Sequence, residues 1–151
     1  MIRDRLGKEL LFFDGGMGTL LQEKGLEPGE LPELWNITHP DEIRSIHRRY
    51  MEAGSDIVLT STFGANALKF HDDSCSLKEI INAAVGHVKA AAEQCGRADA
   101  VLTALDVGPT GKLLKPMGDL EFETAYEAFR EVMILGEKAG ADLIHIETMS
   151  D

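Results

Sequence analysis

Cysteine is scarce in this chain: Cys75 and Cys95 are the two among 151 residues. Two cysteines do not make a disulfide framework, and neither has metal-site spacing with a histidine. His71 lies close to Cys75, but a pair is not a site. Long apolar runs are also missing, and none approaches the ~18 residues of a membrane span. Arg3, Arg5 and Lys8 open the chain. The apolar run after them, Leu10 to Phe13, is shorter than the ~7–15 residues of a signal-peptide core. Basic charge is the third shortage: 15 Lys and Arg stand against 26 Asp and Glu, a formal net charge of −11. A phosphate backbone needs a basic patch, so no nucleic-acid partner is expected. Neither is a membrane. Free thiols without an export signal suit a reducing cytoplasm.

The composition is that of a globular protein, 44% hydrophobic and 27% charged. Its organisation lies in four short apolar runs, each ending at small and polar residues. Leu10–Phe13 ends at Asp14-Gly15-Gly16. Asp56–Leu59 ends at Thr60 through Asn66. Ala100–Leu105 ends at Asp106 through Gly111. Leu143–Ile146 ends at Glu147 through Asp151. Helical patterns separate them: a turn over 17–24, a helix opened by Pro40, one over 76–94 with a Ser76/Glu79 capping box, and one over 121–139. In the last of these, Phe122, Ala125, Tyr126, Phe129, Val132, Met133 and Leu135–Gly136 are expected to face inward. The rhythm predicts an α/β fold of four parallel strands with crossover helices. Four such steps are about half of a (β/α)8 barrel, which needs ~250 residues. The alternative is a small open sheet.

In folds of this kind the chemistry sits at the carboxyl tips of the strands, so the four clusters should meet on one rim. Asp14 followed by Gly15, Gly16 and Gly18 places a carboxylate beside backbone N–H groups that a ligand can approach closely. That suits an amino acid, with Asp14 for its ammonium and the N–H groups for its carboxylate. Asp14 could equally cap a tight turn. The glycine spacing is not a dinucleotide fingerprint, and Gly108 to Lys112 is not a phosphate loop, because Leu113 stands where Ser or Thr should follow the lysine. Strand alternation puts Leu143, His145 and Glu147 on one face and Ile144 and Ile146 on the other, against helices. Glu147 then points into the mouth, where its charge needs a cation: a substrate ammonium, or a lysine or arginine from elsewhere. His145 reads as core filling or as a hydrogen-bonded buried histidine. Thr62 and Asn66 offer a hydroxyl and an amide to a ligand or to their own loop. Gly16 and Asp106 read as residues that order the rim.

Taken together and in order, these segments resemble the homocysteine S-methyltransferase family. The matching pieces are Asp14–Thr19, Pro32–Asn36, Ile46–Tyr50, Gly54–Ile57, Thr62–Asn66, Gly108–Gly111 and Glu147–Asp151. The Thr62–Asn66 and Gly108–Gly111 segments favour its cobalamin-dependent branch. The resemblance implies that residues 1–151 are the first half of a homocysteine-binding (β/α)8 barrel domain, truncated after the fourth strand. The implied activity is transfer of a methyl group to homocysteine sulfur, giving methionine. The methyl would come from methylcobalamin and ultimately from 5-methyltetrahydrofolate. By the same resemblance, Asp14 and Glu147 would hold the substrate amino group, Gly15 and Thr62 its carboxylate, with Asn66 beside them. A zinc ion on three cysteine thiolates would activate the thiol.

The departure concerns that zinc. The family's cysteines lie in the second half of the barrel, and Cys75 and Cys95 do not match them. This chain is therefore expected to bind neither zinc nor cobalamin by itself and to be inactive alone. Its expected partners are homocysteine, the missing half-barrel and cobalamin and folate modules, or a second copy through open strand edges. Other readings stay open. They are a betaine- or S-methylmethionine-dependent methyltransferase, a barrel lyase or aldolase using Asp14 and Glu147 with Lys112, and a non-catalytic assembly module.

Overall fold

The computed structural model describes residues 2–150; Asp151, part of the last matching segment, lies outside them. In chain order the helices and strands are α1 (Ile2–Arg5), α2 (Gly18–Glu23), a 3-10 turn (Pro32–Leu34), α3 (Trp35–Thr38), α4 (Pro40–Ala53), β1 (Ile57–Leu59), α5 (Leu77–Gln94), β2 (Leu102–Val107), α6 (Phe122–Ala139) and β3 (Leu143–Ile146). The strands form one parallel sheet in the order β1-β2-β3. Helices connect parallel strands, as the alternation of patterns requires.

Three strands stand where four apolar runs were expected. The first run supplies a single parallel bridge, Phe13 to Ile57. It still takes its place beside β1. The Asp14 N–H donates to the Ile57 carbonyl at 3.0 Å, and the Asp56 N–H to the Phe12 carbonyl at 2.8 Å. The third run is displaced by two residues, to Leu102–Val107. The Ala100 and Val101 N–H groups both turn back onto the Arg97 carbonyl and cannot join a ladder. At the other end, Asp106 and Val107 pair with His145 and Ile146. Asp106 therefore belongs to the strand itself.

Helix boundaries follow local chemistry. Pro40 occupies the first turn of α4, and α4 and α6 end on Gly54 and Gly140 at φ of 111° and 88°, a conformation only glycine adopts at low cost. The Ser76/Glu79 capping box opens α5. Ile80, Ile81, Ala84, Val85 and Val88 of α5 are buried, as are Ile43 and Ile46 of α4.

The inward face of α6 agrees with expectation at Ala125, Val132 and Gly136 and differs at Phe122 and Tyr126. Ala125, Ala128, Val132 and Gly136 are the buried stripe, while Phe122 and Tyr126 are 65% and 52% exposed. Small residues let this helix approach the sheet closely. A Cβ on Gly136 would overlap the buried Leu105 side chain of β2. Phe122 and Tyr126 are left on the flank, while Phe129, Met133 and Leu135 pack, partly buried, against the core as expected. Ile144 and Ile146, expected against helices, are likewise 42% and 55% exposed.

At the amino end of the sheet, Arg5 donates to the Ala100 carbonyl at 2.7 Å and to Asp56 at 3.1 Å. Arg97 donates to the Ser55 carbonyl at 3.0 Å. This basic pole pins the strand starts and leaves the opposite end free of such ties.

Gly136→Val is expected to lower stability by at least about 1 kcal/mol through overpacking against Leu105. Urea unfolding checks this; an unchanged midpoint would show that α6 does not lean on β2 through this residue.

Candidate functional site

The carboxyl ends of the strands surround a cavity of about 450 Å³. Asp14 enters it from the end of the first run, Asp106 from β2 and Glu147 from just beyond β3. Gly15, Gly16, Leu59, Thr60, Ser61 and Phe63 form more of its wall, and Met17, Leu21 and Pro32 give it an apolar side.

The first-run tip is shaped by a close approach. A Cβ on Gly15 would stand 2.9 Å from the Tyr50 hydroxyl oxygen, so a larger residue here would push the Tyr50 ring aside. The Tyr50 O–H donates to the Gly16 carbonyl at 2.9 Å, fixing the turn. Asp14 accepts from the Leu59 N–H at 3.1 Å through Oδ2, while its Oδ1 is buried with no hydrogen-bond partner. Burial is the main reason its pKa is pushed up to about 7, and the neighbouring Glu147 adds to the rise. The Leu59 N–H works against it.

Asp106 is more enclosed, at 6% exposure, and its Oδ1 also has no partner. Its pKa is likewise pushed up to about 7, first by burial, then by the charges of Glu147, Asp14 and Glu33, and by a side-chain hydrogen bond with Glu147. Glu147 is half-exposed, and its Oε2 lies 4.0 Å from Nε2 of His145, which is on the same strand face as expected. The His145 ring tilts against Phe13 with centroids 5.0 Å apart.

Thr62 and Asn66 stand behind this surface. Thr62 is 1% exposed, and its hydroxyl donates to the Asp106 carbonyl at 2.7 Å. Asn66 is 3% exposed, accepts from the Leu68 N–H at 3.1 Å and donates to the Pro109 carbonyl at 3.4 Å. Both build the loops that carry the wall, and neither lines the cavity.

Glu33 is a wall residue to which sequence reasoning assigned no role, although it stands in the Pro32–Asn36 segment. It is 5% exposed, lines the cavity and accepts from the Gly64 N–H at 2.6 Å. Asn36 of the same segment donates to the Ser61 carbonyl at 2.8 Å. Two tethers thus hold the loop after β1. No local periodicity announces Glu33; its place depends on a segment folding across the carboxyl ends of the strands.

The sequence from Leu11 to the last residue matches the profile of one family: residues 11–151 fit homocysteine S-methyltransferase. The chain belongs to the homocysteine S-methyltransferase family. Methionine synthase of Mycobacterium tuberculosis is 32% identical over 98% of this chain, and that of Mycobacterium leprae 30% identical over the same share. The chain spans only about 13% of the length of these relatives. Among solved structures, the metallated form of the Escherichia coli homocysteine methyltransferase MmuM superposes with a TM-score of 0.79 at 25% identity. It covers 99% of this chain and 58% of that one. The oxidized form gives 0.76 at 25% identity, covering 95% and 55%.

A family zinc on three thiolates does not fit the donors of this chain. The cavity offers carboxyls, which are hard ligands, and the half-buried Cys75 and Cys95 are not in its wall. Among the described residues no group of three or more His, Cys, Asp or Glu is placed to hold a metal ion.

Burial of Asp106 has a measurable cost. A raised pKa means that the folded state binds the proton more tightly than the unfolded chain does. That help to folding is complete below about pH 4 and is lost as pH rises through about 7. Asp106→Asn removes the titration. The stability of this variant relative to the unsubstituted protein is expected to climb between pH 4 and 7 and level off above 8. Urea unfolding at pH 5 and 8 measures it; an equal difference at both would show that Asp106 ionises without burial cost.

Proposed function

We propose that this cavity is the amino-acid end of a homocysteine site, and that the chain is the N-terminal half of the (β/α)8 domain carrying it. The observation that supports this most is the meeting of Asp14 and Glu147, from opposite ends of the chain, on one cavity whose lining contains no lysine or arginine. A substrate ammonium supplies the missing cation. The backbone at Gly15 and Gly16 faces the same space and is open to a carboxylate. The apolar side at Met17, Leu21 and Pro32 suits the methylene stem of the ligand. Thr62 and Asn66 support the site from behind, through the loops they brace.

In this reading the chain's residues bind and orient homocysteine for methylation to methionine. The thiol must be activated to a thiolate, and the residues present do not supply the thiolate-bound zinc that would do this. That role falls to further barrel segments, and the methyl group comes from methylcobalamin on another module. The exposed apolar residues at both sheet edges support such a completion: Leu10 and Phe12 at one side, 82% and 60% exposed, and Ile144 and Ile146 at the other. A second copy of this chain could meet the same edges. The cytoplasm is the proposed location. Among the described residues no helix is long and apolar enough to cross a membrane.

Calorimetric titration with homocysteine at pH 8 tests the site. Asp14→Ala and Glu147→Ala each remove a charge-assisted hydrogen bond of about 1.5–3 kcal/mol, so binding should weaken roughly 10- to 100-fold. Undiminished affinity in both variants would place the amino acid elsewhere. The chain alone is expected to show no methyl transfer; turnover without added protein would overturn the half-site reading.

A further inference from the structure

The cavity holds more carboxyl groups than one ammonium can balance. Asp14, Glu33, Asp106 and Glu147 all line it. Two have backbone donors: Leu59 N–H serves Asp14, and Gly64 N–H serves Glu33. Glu147 is open to water and has His145 at 4.0 Å. Asp106 is the most deeply placed of the set apart from Glu33, and nothing donates to its Oδ1. Two threonine hydroxyls are committed to its backbone and to each other. Thr60 accepts from the Asp106 N–H at 3.1 Å, and Thr62 donates to the Asp106 carbonyl. The Tyr50 O–H is spent on Gly16. Lys69 sits over the Phe63 ring, 4.8 Å from its centroid. Asp106 thus shares the cavity with three other carboxyls, and its side chain is hydrogen-bonded to one of them, Glu147, a contact that needs a proton between the two.

A carboxylate in such a place is costly, and a neutral acid is not. We infer that Asp106 carries a proton in the empty cavity and releases it to solvent when an aliphatic ammonium enters, which makes Asp106 the residue that ties occupancy to pH and favours amino acids over their desamino analogues. The balance is simple. The O–H bond of Asp106 breaks, the proton passes to buffer, and an ammonium N–H donates to the carboxylate left behind. The reverse holds by linkage: a proton on Asp106 weakens ammonium binding by the same factor that the ammonium weakens the proton. Burial that holds the Asp106 pKa near 7 places this exchange in the neutral range. Asp14 shares the cavity and a similarly raised pKa, so it contributes to the same exchange.

This inference rests on the homocysteine-site reading, and methionine is the better probe for it. Methionine has the same ammonium and carboxylate but no thiol proton to confuse the count. Its binding at pH 6 is measured by calorimetry in two buffers of different ionisation enthalpy. The expected result is net proton release, with affinity rising up to about tenfold per pH unit for each proton released between pH 5 and 7 and levelling above 8. Asp106→Asn should reduce the release and flatten that slope. It should also weaken binding at pH 8.5, about tenfold, and change it little at pH 5.5; a merely structural role would weaken both alike. The desamino analogue 4-(methylthio)butanoate should bring no proton release. Methionine binding without proton release in the unsubstituted protein overturns the inference while leaving the site intact, and so does an unchanged slope in Asp106→Asn. If neither methionine nor homocysteine binds at any pH, the site reading falls and this inference with it. The buffer comparison needs no variant, so it decides the matter even if Asp106→Asn does not fold.

Discussion

The parallel pairing of β2 on both its sides is the constraint from which the rest follows. Thr103 stands beside Val58 on one side, and Asp106 beside His145 on the other. Parallel strands point their carboxyl ends the same way, and the crossover helices return the chain to the same starting edge each time. Asp14, Asp106 and Glu147 become neighbours because each sits at or near such an end. A shift of β2 by one residue would turn Asp106 to the helix side and put Leu105 into the cavity. The close seat of Gly136 on Leu105 opposes that shift. Packing on one face of β2 thus protects the chemistry on the other.

The site works against the fold that carries it. Two carboxyls with unpartnered oxygens and pKa values near 7 are a standing cost in a small sheet. The amino end of the sheet shows the opposite arrangement, where Asp56 lies between Arg5 and Arg97. Charge is balanced where the strands begin and left unbalanced where they end. An asymmetry of that kind is what a cavity for a cationic group requires.

Much of this was legible along the chain because it depends on near neighbours. The capping box at Ser76, the proline start of α4 and the glycine stops at Gly54 and Gly140 are local matters of backbone geometry and hydrogen bonding. The apolar stripe of α5 follows from helical period. Less was legible where a residue's role depends on a distant partner. Phe122 and Tyr126 fit the helical period of α6 as well as Ala125 and Ala128 do; the tight approach to β2 selects the small side chains. Asp106 reads as a residue beyond a strand until the Arg97 carbonyl captures the Ala100 and Val101 N–H groups and moves the ladder forward. Nothing local shows that the Thr62 hydroxyl meets the Asp106 carbonyl. Glu33 gives no local signal, because its partner Gly64 belongs to another loop.

By itself, the order of residues determined the alternation of helices and strands, the parallel class of the sheet, and the kind of residue at each strand end. Those features arise from backbone propensity and from apolar periodicity, which act over a few residues. Tertiary structure alone decided which polar groups are satisfied and which are left without a partner. Hydrogen bonding and desolvation at Asp14, Asp106 and Glu33 depend on atoms that come near only when the sheet has closed around them.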